Sequence, residues 1–256
     1  MGLFDLPAPL FGAIDQLLSL ALPPVIRLVC WGILAGWLTM MVYRRLSSQD
    51  KIQRLKIEQR EQQKIIAGFD GEFADLMPEI RLALALGMRQ LGLSLGPALL
   101  ATIPTLFIII WVAGQFGYQQ PATASQVSIG IGPVHDTGAG LDWSRPRLVR
   151  ETPAGWTLSW PAPDKPIALL QDGEALFELP FESNIPVIHK RQWWNWLMAN
   201  PAGYLPDDAA IYSVDIDLPE QQILDFGPGW MHGWMFSFFV SFLLSSIGFK
   251  LALKID

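Results

Sequence analysis

The chain has 256 residues, of which 51% are hydrophobic and 16% charged, with a formal net charge of −6. A mean hydropathy of +0.29 is too apolar for an ordinary soluble domain and too polar for a chain lying wholly in lipid, so a mixed architecture is expected. The acidic balance offers no charge argument for a specific nucleic-acid partner.

Residues 1–23 contain Asp5 and Asp15 but no Lys or Arg. A secretory signal needs basic residues ahead of its apolar core. The run 24–43 is therefore expected to be a retained transmembrane helix, and 1–23 an outer interfacial segment, with Leu10 to Leu22 apolar enough to lie along the membrane surface. Leu6 stands where myristoylation of Gly2 would want Ser or Thr.

After Tyr43 the sequence turns charged, and residues 44–92 are expected to form a cytoplasmic helical hairpin. Ser47 with Asp50 fits a helix start and Gly71 a stop. Ile52, Leu55, Ile66 and Phe69 fall on heptad-like positions, with Gln59 and Gln62 between them, the pattern of a weak coiled coil. Phe73, Met77, Ile80, Leu84, Met88 and Leu91 form one apolar stripe on a second helix, which would fold back on the first at Asp70-Gly71. This seam either closes only the hairpin or serves, through Ile52, Leu55, Ile66 and Phe69, as a docking surface for a ribosome, a nascent chain or a partner subunit.

Residues 93–116 are the second expected transmembrane helix, and 228–256 the third with a short cytoplasmic tail. Nine basic residues lie between Arg44 and Gln90, and Lys250 and Lys254 end the chain, whereas 117–227 carries six basic and fourteen acidic residues. The positive-inside rule then gives N-out, C-in, with 117–227 extracytoplasmic. Trp230 and Trp234 suit the aromatic belt at the outer start of the last helix.

The 117–227 segment is β-like. Trp156, Leu158 and Trp160 alternate with polar residues, as do Tyr212, Val214, Ile216 and Leu218, and residues 166–181 resemble a hairpin turning at Asp172-Gly173. A mainly antiparallel domain is expected, with residues 145–218 folding alone, and a short helix over His189 to Ala199. Trp193, Trp194 and Trp196 cannot all face one side of that helix, which suggests a partner or membrane surface. Asp215 and Asp217 share a strand face and are expected to be solvated.

No catalytic chemistry is expected. Cys30, the one cysteine, sits in the first apolar run, and His135, His189 and His232 are scattered, so neither a thiolate nor a histidine metal site suggests itself. No phosphate loop, nucleophile elbow or dinucleotide fingerprint occurs, and no cofactor is expected.

The layout of "PPVIRLVCWGILAGW", "YRRLSSQDKIQRLKIEQREQQKII", "LGPALLATIPTLFIIIW" and one late third span resembles the YidC-type insertase superfamily. It is most similar to the three-span branch of archaeal YidC-like proteins and the third subunit of the endoplasmic reticulum membrane protein complex. The resemblance covers residues 20–116 and 228–253. It implies an α-helical membrane protein that works without covalent chemistry. A polar groove within a bacterial or archaeal cytoplasmic membrane would let the polar flank of a transmembrane substrate cross. Arg27 matches the groove's basic residue, an expensive charge within a span, although at three residues from the helix start it can also snorkel to the outer headgroups. Thr102, Thr105, Ser237, Ser241 and Ser245 are the candidate polar lining, and Gly32 and Gly36 are expected to serve packing. The 117–227 domain departs from the family pattern and favours an alternative, an accessory or scaffold subunit of a larger membrane complex.

Overall fold

A computed structural model describes residues 2–133, 140–153, 155–181 and 183–255. His135 lies outside them. The chain divides into two compact units, Met1–Val25 with Ile109–Phe236, and Ile26–Ile108 with Ser237–Asp256.

Five α-helices run in chain order: α1 (Ala8–Ser19), α2 (Pro24–Leu46), α3 (Gln49–Ala67), α4 (Phe73–Phe116) and α5 (Trp234–Ala252). Of these α2, α4 and α5 are long and apolar enough to cross a membrane. Leu28, Trp31, Gly32, Ala35, Gly36 and Thr39 are the buried residues of α2, a three- and four-residue spacing that places them on one stripe.

The hairpin forms, with corrections to its ends and faces. Helix α3 starts at Gln49 behind Ser48, with no side-chain cap bond, and Ser47 Oγ is buried and makes no hydrogen bond within the chain. It stops at Ala67 with Gly68 as its cap, ahead of the expected Gly71. Ile52, Leu55 and Gln62 are buried, and Gln59, Ile66 and Phe69 half-buried, so the heptad register holds. Gln62 Nε2 donates to the Glu79 carboxylate and to the Glu79 carbonyl, which ties α3 to the first turns of α4.

Helix α4 continues through residue 93 without interruption, over 44 residues and past Pro78, Pro97 and Pro104. At 1.5 Å per residue it is about 66 Å long, twice a hydrocarbon core. The stripe expected to face α3 is split: Met77 and Ile80 are half-buried, whereas Phe73, Leu84, Met88 and Leu91 are exposed. It continues as Leu95, Leu99 and Leu106, also exposed, while the inward row carries Ala83, Gly87, Ser94, Ala101 and Thr105. Ile108, fully buried, stands on the inward side as well, so that side is not confined to small residues.

Among the described residues, the β domain has nine strands. A six-stranded sheet runs in the order β3 (Val149–Thr152), β4 (Gly155–Ser159), β1 (Gln126–Ile131), β9 (Ser213–Ile216), β7 (Val187–Lys190), β8 (Tyr204–Leu205). A three-stranded sheet runs β2 (Leu141–Trp143), β5 (Ile167–Gln171), β6 (Glu174–Leu179). All pairings are antiparallel except β7 with β8. One core joins Val127, Ile129, Leu158 and Val214 of the first sheet to Ile167, Leu169 and Leu179 of the second. Trp143 of β2 meets Trp156 of β4 edge-on at 5.5 Å, a geometry favoured by the ring quadrupoles.

The expected hairpin is β5–β6. Asp172 (φ 52°) and Gly173 (φ 90°) both take positive φ, as a two-residue turn matched to strand twist requires. Asp215 and Asp217 are exposed between buried Val214, Ile216 and Leu218. Two expectations are corrected. Residues 189–199 are not an α-helix: β7 takes His189 into the sheet, and the tryptophans form a single 3-10 turn, Trp193–Trp196. Residues 145–218 are not a complete domain, because β1 lies between β4 and β9.

Candidate functional site

The expected groove residues fall on helices α2, α4 and α5, and most are occupied in close packing. Gly32 and Gly36 leave a notch on α2. A Cβ at Gly32 would stand 2.0 Å from Ser241 Oγ and 2.8 Å from the Phe238 carbonyl oxygen; one at Gly36 would stand 2.1 Å from Ser245 Oγ. Only glycine admits α5 this closely. Ser241 Oγ donates within its own helix, to Ser237 O at 2.8 Å or Phe238 O at 2.9 Å. Ser245 Oγ is 3.0 Å from Phe242 O and reaches across to Gly32 O at 3.4 Å. Ser237 Oγ and Ser246 Oγ are buried and make no hydrogen bond within the chain.

A second contact joins α2 to α4. Thr39 Oγ1 donates to Ala35 O at 2.9 Å, so in its short bond with Thr105 Oγ1 the threonine of α4 is the donor. Both threonines are buried. Thr102 does not share this site: it lies on the outward face of α4, where its hydroxyl donates to Leu99 O. Arg27, the fourth residue of α2, is half-buried with its Nε shut off from solvent. Spacing alone identified Ser237, Ser241 and Thr105 as neighbours of other helices, and the structure adds Thr39 and Ser246.

The hairpin residues expected to dock a partner are largely used within the chain. Ile52 and Leu55 are buried, so they cannot form a free surface, and Ile66 and Phe69 are half-buried. Exposed apolar surface in this unit lies instead on the outward row of α4 and on α5, where Leu243, Leu244, Ile247 and Leu251 are exposed.

In the other unit, Trp193 is 81% and Trp196 57% exposed, whereas Trp194 turns in beside His189, ring centroids 5.5 Å apart. Asn195 is buried and holds the turn: its Oδ1 accepts from Gln192 N at 2.6 Å and its Nδ2 donates to Met198 O at 3.2 Å. The N-terminal segment docks beside this turn. Phe4 N donates to Leu197 O at 2.8 Å, and Asp5 Oδ2 accepts from Gly2 N at 2.8 Å and Ala199 N at 3.0 Å.

Helix α1 then packs Phe11 edge-on against Trp111 of α4 at 5.8 Å. Its polarity is inverted. Asp15 is buried, 3% exposed, while Leu6, Leu10, Ile14, Leu17 and Leu20 face out. This docking had no signal in the sequence beyond the absence of basic residues before α2.

Among the described residues, no group of three or more His, Cys, Asp or Glu side chains could hold a metal ion. No protein-family model, curated protein or solved structure matches this chain. What the fold defines is a class: three helices fit to span a membrane, joined to a mainly antiparallel β domain.

Proposed function

We propose that this chain is a membrane-protein assembly factor of YidC-like layout, acting by transient non-covalent contact with apolar segments of other proteins. One observation carries the proposal. The exposed residues Leu84, Met88, Leu91, Leu95 and Leu99 run at three- and four-residue spacing from the hairpin into the apolar part of α4, and Leu106 follows beyond the exposed Thr102. Such a row can guide an apolar segment from water towards lipid without releasing it. The charge of the half-buried Arg27 is the polar group that a substrate's flank would engage, since the hydroxyls of Ser237 and Ser246 are buried.

A photo-crosslinking amino acid at Leu91 or Leu95, present while a short membrane protein is synthesised, is expected to capture that protein. The same probe at Ile52, which is buried, is expected to capture nothing. Adducts with lipid alone at all these positions would refute the assembly role.

A second reading, a scaffold subunit of a larger membrane complex, is favoured by the close α2–α5 seam, which holds helices together and leaves little space at Ser241 and Ser245. Capture of one fixed partner at constant stoichiometry, whatever is being synthesised, would select it.

The proposed placement is N-out and C-in, with the β domain extracytoplasmic, since the basic residues cluster between Arg44 and Gln90. In a Cys30→Ala background, Ser48→Cys is expected to resist an impermeant thiol reagent in intact cells while Asp215→Cys reacts. The opposite pattern would invert the topology.

A further inference from the structure

A cavity of about 740 Å³ lies within the unit that contains the β domain. One wall is the last two turns of α4, including Ile109, Ile110 and Gly114. A second is the N-terminal segment at Phe4, Asp5 and Ala8, and a third is the β domain around Asn184, His189 and Trp194. The volume is in the range of sites that enclose a small organic ligand.

We infer that this cavity binds one amine-headed membrane amphiphile, with its alkyl chain along the α4 wall and its ammonium at Asp5. Depth supplies the first support. Trp111, which lines the cavity, is five residues before the end of the apolar helix at Phe116. That is about 8 Å along the axis, so on the proposed placement, with the end of α4 at the outer boundary, the cavity stands near the junction of headgroups and acyl chains. A chain entering from the membrane therefore arrives level with the cavity.

Charge supplies the second. Among the described residues, Asp5 is the only acidic side chain that lines the cavity, and no Lys or Arg does. Its Oδ2 accepts two backbone N–H groups, which fix the carboxylate in place without neutralising it. Trp111 and Tyr118 line the cavity from the α4 side and Trp194 from the β domain, and aromatic faces attract an ammonium and disfavour an anionic head.

The inventory of free polar groups supplies the third. Asn195 and Asn200 spend both ends of their amides on backbone partners, and the Asn184 carbonyl oxygen accepts from Gln120. His189 Nδ1 donates to the Lys190 carbonyl oxygen at 2.7 Å. Ser183 Oγ is buried with no hydrogen bond in the chain. Gln115, Tyr118 and the Asn184 amide nitrogen also line the cavity and can donate, so these groups suit a small polar head on a hydrocarbon chain and the Asp5 carboxylate selects its sign.

Gly114 makes a direct test possible. A Cβ built there meets nothing within 4 Å, so Gly114→Leu fills space without displacing a neighbour and removes a helix-weakening glycine. The full chain in detergent, titrated with dodecylamine and separately with dodecanoate, is expected to bind the amine at least tenfold more tightly, read by tryptophan fluorescence. Gly114→Leu should abolish amine binding with an unchanged melting temperature. Asp5→Asn should erase the preference for amine over carboxylate. Native mass spectrometry with added phosphatidylethanolamine and phosphatidylglycerol identifies the source: selective retention of the former makes the ligand an aminophospholipid, and retention of neither leaves a single-chain amine. Equal binding of amine and carboxylate, or binding unaffected by Gly114→Leu, overturns the inference. None of these outcomes depends on whether the chain assembles other membrane proteins.

Discussion

Gly32→Leu is expected to remove the protein from the membrane fraction of expressing cells. The new Cβ would fall 2.0 Å from Ser241 Oγ, which a rotamer change could relieve, but also 2.8 Å from the Phe238 carbonyl oxygen and 3.1 Å from Phe242 N. Those are backbone atoms of α5 and cannot turn aside, so the helices must separate. Overpacking costs about 1–3 kcal/mol, occasionally more, and here separation also exposes the buried hydroxyls of Ser237, Ser241 and Ser246 to apolar surroundings, where unpaired polar groups are costly. Gly248→Leu is the control, since a Cβ at that position of α5 meets nothing within 4 Å. Protein level and monodispersity in detergent check the pair. Equal behaviour of the two variants would show that the α2–α5 contact does not hold the helices together.

The second large effect is expected at Leu158→Ala. Leu158 has no exposed surface and sits on β4, paired with Val127 of β1 and Val149 of β3 and packed in the core shared by the two sheets. Truncating a leucine in such a core costs about 2–5 kcal/mol, a large share of the roughly 5–15 kcal/mol that holds a domain together. Hydrogen exchange is expected to show β1, β4 and β9 opening more readily by that amount. Thr157→Ala, one residue away on the half-exposed face, should stay within about 0.5 kcal/mol. Unchanged exchange in Leu158→Ala would mean that the two sheets do not share one core.

Elements whose pattern follows from local chemistry were legible. The apolar runs of α2 and α5, the heptad register of α3, and the β5–β6 hairpin with its Asp172-Gly173 turn each follow from composition, period or turn type, and the structure has all of them. The outward row of α4 was legible as a stripe but not as an outer one. Leu84, Met88 and Leu91 have the spacing of a core face, and residue size does not mark the other side as inward, since Leu76 and Ile108 stand there with Ala83, Gly87 and Ser94. The segment around Trp193 fits a helix locally, yet Val187, Ile188 and His189 are claimed by β9, and long-range pairing overrides local propensity. Strand β1 alternates Val127, Ile129 and Ile131 and was visible in principle. Its place in the middle of the sheet was not, because β4 and β9 follow it by some 25 to 90 residues. Of the expected groove, residue types and spacing located Ser241, Ser245 and Thr105 on buried helix faces. Whether such hydroxyls line a space or fill one depends on the notch at Gly32 and Gly36, a matter of ångströms that spacing does not convey.

The bond from Ala199 N to Asp5 Oδ2 closes a loop of 194 residues. At a synthesis rate of about 5–20 residues per second, the partner amide appears roughly 10–40 seconds after the aspartate. For that interval α1 has its own turns but not its dock, with its outer leucines and Asp15 both waiting for an environment. A protease or a chaperone acting early in biogenesis would therefore meet this segment in an open state that the finished protein does not display. An early-translation stall, with nascent chains held at increasing lengths, should show the N-terminal segment losing its protease sensitivity only once the Trp193–Ala199 region has been made.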